Sequence, residues 1–336
     1  MRIVTIEKIR ISVGSASVLG LGGLPQFKNP PTTCYIMTFK KGHCMANCGF
    51  CPQARSSKSS IEKLSRVDWP IFSFKDFLTK LKYMPFSKKF ERICIQILNY
   101  PENFNDLIEI LTQIRTYTDI PLSIAIPPLS KEKLDELKKR GVQRVGIALD
   151  GATSEVFENI KGSNVEGPYK WEEHFQKLDE ALDIFSPGYV STHIIIGLGE
   201  SEKDVIELIE KLNNLGITIS LFAFTPIEGT KFENLHQPTI PSFRKLQLGR
   251  FLIINNEKQL KDFTFNRKGE IININMRKKE LNMIIHNTNA FLTSGCPGCN
   301  RPFYTSKPSG PIYNYPRKLT EKEKLEIFDL LGKFVN

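Results

Sequence analysis

Short runs of aliphatic and β-branched residues alternate with longer stretches whose apolar positions recur every three or four residues, from about residue 34 to residue 224. The strand-like runs are Cys34 to Phe39, Arg92 to Leu98, Leu122 to Ile126, Arg144 to Leu149, Val190 to Ile196 and Thr218 to Phe224. Between them, helical periodicity covers Phe74 to Lys82, Phe104 to Thr116, Lys131 to Lys139, Trp171 to Phe185 and Glu202 to Leu215, the last preceded by Ser201 in a capping position. Strands alternating with helices of this length predict βαβ units on a parallel sheet. Six in succession favour an α/β fold, a partial, open (β/α)6 TIM-like barrel. Ligands of such folds gather at the carboxyl ends of the strands. Beyond residue 230 the pattern changes: Lys231 to Pro241 is irregular, Ser242 to Ile254 is helical, and Phe263 to Ile274 reads as a hairpin around Lys268-Gly269. A loop-rich stretch from Thr293 to Arg317 leads into a last helix, Thr320 to Phe334, with Glu321 and Glu323 in its first turn.

With 336 residues, 40% of them hydrophobic, the chain has ample material for a buried core. No run approaches the length of an apolar membrane span, so no membrane association is expected. The N-terminus, MRIVTIEKIRIS, mixes charge with Ile and Val and lacks a signal-peptide block, which predicts a cytoplasmic protein. The net charge of +10 does not by itself indicate nucleic acid, because the 46 basic residues are spread along the chain beside 36 acidic ones. Lys131 to Arg140, for example, alternates signs as a solvated helix face does. No arginine-rich arm or nucleic-acid motif is present, and an acidic protein partner explains the surplus at least as well.

Seven cysteines in a cytoplasmic chain argue for metal or redox chemistry rather than disulfides. Cys44, Cys48 and Cys51 are spaced CxxxCxxC, with Gly42 and His43 marking the stretch as a loop. Three thiolates there can hold three irons of a [4Fe-4S] cube and leave the fourth iron open, whereas structural zinc is usually bound by CxxC pairs and four ligands. Cys296 and Cys299, in Gly295-Cys-Pro-Gly-Cys299, form a metal-binding turn that is only half a site. If the tail folds over the barrel, this pair meets Cys34, with Cys94 as a fourth ligand, in an auxiliary iron-sulfur cluster. The alternatives are a zinc knuckle and, for Cys94, a buried free thiol. Gly197 and Gly199 also fit a βα turn, Asp150 fits a helix N-terminus, and His193 reads as a barrel-lining residue.

The CxxxCxxC spacing, with Phe50 before the last cysteine, resembles the signature of the radical S-adenosylmethionine (SAM) superfamily. Further stretches are similar to its biotin-synthase-like subgroup: Thr38 to Cys44 with Cys48 to Ala54, Ile194 to Glu200, Phe224 to Thr230, and Arg144 to Asp150 followed by Gly151. The resemblance divides the chain into an N-terminal extension (1–30), a radical SAM barrel core (31–230) and a C-terminal extension carrying the CxxC motif (231–336). It implies a [4Fe-4S] cluster on Cys44, Cys48 and Cys51, and SAM chelated to the open iron and cleaved to a 5'-deoxyadenosyl radical. The implied contacts to SAM are Asn99, Asp150, Gly197, Gly199, Glu200 and Pro226. Asn99-Tyr100-Pro101-Glu102 stands where many members carry Gly-Gly-Glu.

In biotin synthase the second-cluster ligands lie on barrel strands; Cys94 matches one such position, while Ser191 stands where another cysteine is expected. The tail, Cys296 to Tyr304 with Gly310 to Pro316, is similar instead to the two-component, archaeal-type lipoyl synthases, in which two radical SAM chains divide sulfur insertion at two carbons of a protein-bound octanoyl group. That likeness implies a sulfurtransferase drawing sulfur from a second iron-sulfur cluster. Its partners would be an acidic lipoyl carrier domain, a second radical SAM subunit and an electron donor such as ferredoxin. The alternatives are a radical SAM enzyme resembling methylornithine synthase or the hydrogenase maturases, and a non-catalytic iron-sulfur or zinc protein.

Overall fold

The computed structural model describes residues 6–85 and 90–336, so the first five residues of the N-terminal extension lie outside the description. The chain enters through β1 (Lys8–Ile11) and α1 (Val13–Leu19) and lays down β2 (Thr33–Thr38). After the cysteine loop, β3 (Lys63–Leu64) and β4 (Val67–Asp68) form a small hairpin, followed by β5 (Ile71–Ser73) and α2 (Phe74–Lys82). Strands and helices then alternate: β6 (Arg92–Gln96), α3 (Asn103–Arg115), β7 (Leu122–Ala125), α4 (Lys131–Lys139), β8 (Val142–Gly146), α5 (Ser154–Ile160), α6 (Trp171–Phe185), β9 (Val190–Ile196), α7 (Glu202–Asn214) and β10 (Thr218–Ala223). The C-terminal part holds α8 (Ile240–Ile254), the hairpin β11 (Phe263–Phe265) and β12 (Ile271–Ile274), α9 (Lys278–Asn287) and α10 (Glu321–Leu331).

Eight strands form one sheet in the order β10-β9-β8-β7-β6-β2-β1-β5. From β2 to β10 the pairing is parallel, while β1 runs antiparallel to both β2 and β5. The expected (β/α)6 unit is therefore present, and the N-terminal extension adds to it: β1 covers the edge that β2 would otherwise expose. The two end strands, β10 and β5, are not neighbours, so the sheet is an open arc rather than a closed barrel.

Side-chain alternation sorts the two faces of the arc. On β9, Val190, Ile194 and Ile196 face the helices and join the main core, which they share with Ile36, Ile93, Val145 and Leu221 and with Phe77, Leu107, Leu134, Leu178 and Ile209 from the helices. Ser191, His193 and Ile195 face the inside of the arc. Helix starts are fixed locally. Ser201 caps α7, its Oγ accepting the Asp204 N–H at 3.2 Å while the Asp204 carboxylate accepts the Ser201 N–H at 2.8 Å. Among the described residues no helix is long and apolar enough to cross a membrane.

The exposed edge of β10 is closed by the C-terminal part. Ser294 Oγ accepts the Leu221 N–H at 3.0 Å, Asn314 Nδ2 donates to Leu221 O at 3.0 Å, and Arg250 Nε donates to Ile219 O at 2.7 Å. At the other edge Phe77 is fully buried and stacks on Phe74, with ring centroids 6.0 Å apart. Replacing Phe77 with Ala leaves a cavity between α2 and the sheet, and urea unfolding is expected to show a loss of about 3–5 kcal/mol.

Candidate functional site

The loop that follows β2 carries Cys44, Cys48 and Cys51 and is closed by its own backbone: the Cys44 N–H donates to Gln53 O at 2.8 Å, and the Cys51 N–H to Cys48 O at 3.0 Å. The connections after β6 and β8 pin it. The Met45 N–H reaches Asn99 O at 2.8 Å, the Gly49 N–H reaches Ile160 O at 2.8 Å, and the buried Asn47 side chain donates to Val165 O at 2.7 Å. Gly49 is required by close approach, since a Cβ there would lie 2.6 Å from the Phe232 ring. The segment that leaves the loop is tied to the loop after β10, where the Lys58 N–H donates to Gly229 O at 2.7 Å.

Burial pushes the Cys48 thiol up to about 12, offset only in part by the Lys161 ammonium. Burial, with Cys48 next, holds Cys51 well above an ordinary thiol. Cys44 Sγ accepts the Asn99 N–H at 3.2 Å. Three soft donors confined in one desolvated loop ionise together only if positive charge arrives with them, which is what iron supplies. Among the described residues no three Cys, His, Asp or Glu side chains converge tightly enough to hold a single metal ion. A cube makes no such demand, because each sulfur meets a different iron. The loop fits a [4Fe-4S] cluster on these terms.

The residues expected to meet SAM follow the carboxyl ends of β6, β8, β9 and β10. Asn99 also donates its side-chain amide to Tyr169 Oη at 3.1 Å. Gly197 (φ 104°) and Gly199 (φ 115°) form the turn after β9, and Glu200 locks it by accepting the Gly197 and Leu198 N–H groups at 2.6 and 3.0 Å. Burial raises the Glu200 carboxyl against those bonds. Pro226 lies in the loop after β10. Asp150, at φ 64° and almost fully buried, is engaged by two partners: Lys161 Nζ at 2.7 Å and His193 Nε2 at 2.8 Å. Burial alone would raise its carboxyl, but Lys161 and His193 outweigh burial and hold it well below the usual range.

A cavity of about 230 Å³ runs through the inside of the arc. Cys51 and Phe50 stand at the cluster-loop end, and Cys94, Cys296 and Cys299 line the same space. Every second strand residue contributes, as in Arg92, Cys94 and Gln96 or Ser191, His193 and Ile195. The tail loop with Cys296 and Cys299 is fastened near the amino ends of β2 and β6. Thr32 and Thr33 Oγ1 donate to Gly298 O at 2.6 and 2.8 Å, Asn300 Nδ2 donates to Pro30 O at 3.0 Å, and Arg92 Nε donates to Pro297 O at 3.3 Å. Gly295 (φ 133°) passes so near Ser220 that a Cβ would lie 2.7 Å from its Oγ. Burial, followed by Cys296 and Cys299, pushes the Cys94 thiol up.

Cys34 does not join them. It is fully buried in the core between sheet and helices, whereas its neighbour Tyr35, paired with Cys94 across the sheet, faces the cavity. The reason is the two-residue period of a strand: Cys34 and Cys94 lie on opposite faces of the sheet. Sequence reasoning missed Arg92, Arg144 and Arg301, which line the cavity with no Asp or Glu among the described residues around them. It also missed the aromatic wall of Tyr35, Trp69 and Tyr304, and Lys161 as the partner of Asp150. Strand parity carried a signal for Arg92, two residues before Cys94; nothing local marks the others.

An open arc of parallel strands with a three-cysteine loop at its carboxyl end defines a radical SAM protein, and the chain belongs to the Radical SAM superfamily, whose profile matches residues 41–212. It is similar to proteins named biotin synthase: that of Methanococcus vannielii is 28% identical over 231 residues, covering 66% of this chain and 65% of the relative. That of Campylobacter hominis is 28% identical over 215 residues, covering 60% of this chain and 59% of the relative. The chain thus spans less than two thirds of the length of these relatives. Among solved structures, the FeFe-hydrogenase maturase HydG from Carboxydothermus hydrogenoformans shares the fold, with a TM-score of 0.51 and 16% identity over 88% of this chain and 65% of that one.

Replacing Asp150 with Asn strands the Lys161 ammonium in a desolvated site, and chemical denaturation of the metal-free chain is expected to show a loss of about 3 kcal/mol or more. The folded carboxyl titrates below its unfolded value of about 3.9. Its contribution is therefore present above that pH and fades as the pH falls beneath it, so the gap between wild type and variant should close in acid.

Proposed function

We propose that the protein is a radical SAM sulfurtransferase that cleaves SAM reductively and inserts sulfur into an unactivated C–H bond of a protein-bound octanoyl group, as one component of a lipoyl synthase. The observation that carries this reading is the single cavity with Cys51 at one end and Cys94, Cys296 and Cys299 along its wall. Cys44, Cys48 and Cys51 would hold the [4Fe-4S] cluster, and the other three would hold a second iron-sulfur cluster. When bound, the first cluster with SAM supplies the hydrogen-abstracting radical, and the second supplies the sulfur.

The rest of the reading rests on what this chain's own residues do. Ile195, Phe222 and Phe224 give the cavity an apolar wall, which suits a saturated chain and keeps water from a reactive carbon. Arg92, Arg144 and Arg301 would offset the charge of three half-buried thiolates, which is otherwise costly. Asp150 holds the His193 ring against the cavity, where it also packs on Phe222 with centroids 4.9 Å apart. The relatives named biotin synthase support sulfur insertion as the reaction class. The net charge of +10 suits an acidic carrier domain and an acidic electron donor such as ferredoxin.

Reconstituted protein is expected to hold about eight irons per chain, two cubes' worth. It should also thiolate an octanoyl carrier when supplied with SAM, a reductant and the second radical SAM subunit. Replacing Cys44, Cys48 or Cys51 with Ala should abolish release of 5'-deoxyadenosine. Replacing Cys296 or Cys299 with Ala should leave 5'-deoxyadenosine release intact and remove the thiolated carrier. Thiolated product from the tail variants would overturn the second-cluster assignment, and about four irons with no carrier turnover would favour an enzyme that does not insert sulfur.

A further inference from the structure

Tyr35 is almost fully buried in β2, beside the tail loop, in a wall of aromatic rings that leaves its hydroxyl no access to bulk water. Its ring lies 5.4 Å from that of Tyr304, which meets Trp69 edge-on at 6.1 Å. The hydroxyl makes two contacts: it accepts the backbone N–H of Arg301 at 3.1 Å, and it lies 3.3 Å from Cys299 Sγ. With a thiol at Cys299 either group can be the donor in the second contact. With a thiolate there only Tyr35 can donate, and its oxygen is already oriented by the Arg301 N–H. The Arg301 N–H thus occupies the hydroxyl oxygen and leaves its O–H free to point at the sulfur of a metal-bound Cys299.

We infer that Tyr35 is a positioning residue for the second iron-sulfur cluster: its hydroxyl orients Cys299 Sγ as a ligand, and its O–H···S bond raises the reduction potential of that cluster. The inference rests on the second-cluster reading given under Proposed function. A hydrogen bond to a ligand sulfur withdraws negative charge from it and stabilises the reduced, more negative cluster. Tyr35 has the geometry for this at one ligand only. Around the other two thiols the polar neighbours are of a different kind: Gln96 Nε2 donates to Cys94 Sγ at 3.1 Å, and the Ser123 hydroxyl stands 3.9 Å from Cys296 Sγ.

The test isolates the second cluster in a full-length C44A/C48A/C51A chain, reconstituted with iron and sulfide and followed by paramagnetic resonance during a redox titration. Tyr35→Phe keeps the ring and its packing and deletes the donor. The expected result is a potential lower by about 59 mV, a tenfold drop in the ratio of reduced to oxidised cluster at fixed potential. Thr32→Val is the control, because Thr32 fastens the same tail loop through Gly298 O without touching a sulfur. A shift in Tyr35→Phe and none in Thr32→Val supports the inference. No shift in Tyr35→Phe, or equal shifts in both, overturns it. If Tyr35→Phe fails to assemble, 3-fluorotyrosine at position 35, a stronger donor of the same shape, should move the potential upward, and an unchanged potential there overturns the inference as well. Failure of the triple variant itself to assemble any cluster overturns the second-cluster reading and this inference with it, an outcome distinct from an assembled cluster whose potential ignores Tyr35.

Discussion

An open arc of parallel strands has an inner face that nothing in the βα repeat covers, and most of the particular features of this protein follow from how that face is filled. In a closed barrel, layers of inward side chains would pack it solid. Here β10 and β5 do not meet, and the interior is completed by a segment from far along the chain. The tail satisfies the free edge of β10 through Ser294 and Asn314, and it brings Cys296, Cys299 and Arg301 to the wall of the cavity. One segment thus closes the fold and furnishes half of the candidate chemistry.

The electrostatics follow from the same closure. Burial pushes up the Cys51 and Cys94 thiols inside the arc, and the cavity offers no carboxylate among the described residues to make matters worse. Guanidinium groups take that place. Arg92 is held by Ser123 Oγ at 2.9 Å and Gln143 Oε1 at 2.6 Å, and Arg301 lies with its guanidinium 4.0 Å from the centre of the Phe222 ring. Such rigid cations beside buried sulfur make sense if the sulfur is to carry negative charge, and they would be costly if it were not. The buried carboxylate of Asp150 is fully committed to Lys161 and His193.

How much of this the sequence disclosed depended on whether a signal was local. The six parallel strands and the helices between them were legible because each carries its own periodicity, and the cysteine loop because its three thiols lie close together in the chain. β1, β5 and α1 were not: the strands are short, and α1, VGSASVL, is built of small residues with little helical signature. α5, seven residues long, is hidden inside the connection after β8. The facing of Cys34 turned on strand parity, a matter of which neighbour points inward, and only the pairing of Tyr35 with Cys94 settles it. The Lys161, Asp150 and His193 constellation joins three separate elements and leaves no trace in any one of them.

The distance between the two groups of thiols is a property of the strands rather than of the tail. The Asn99 N–H holds Cys44 Sγ at the loop that follows β6, and Cys94 sits within that strand, so the two groups of thiols stand at different levels of the same sheet. The tail loop is fastened at the amino-end level by side chain to backbone bonds from Thr32, Thr33 and Arg92, with no independent core of its own. The cavity that both groups line also carries the apolar side chains of Ile195, Phe222 and Phe224.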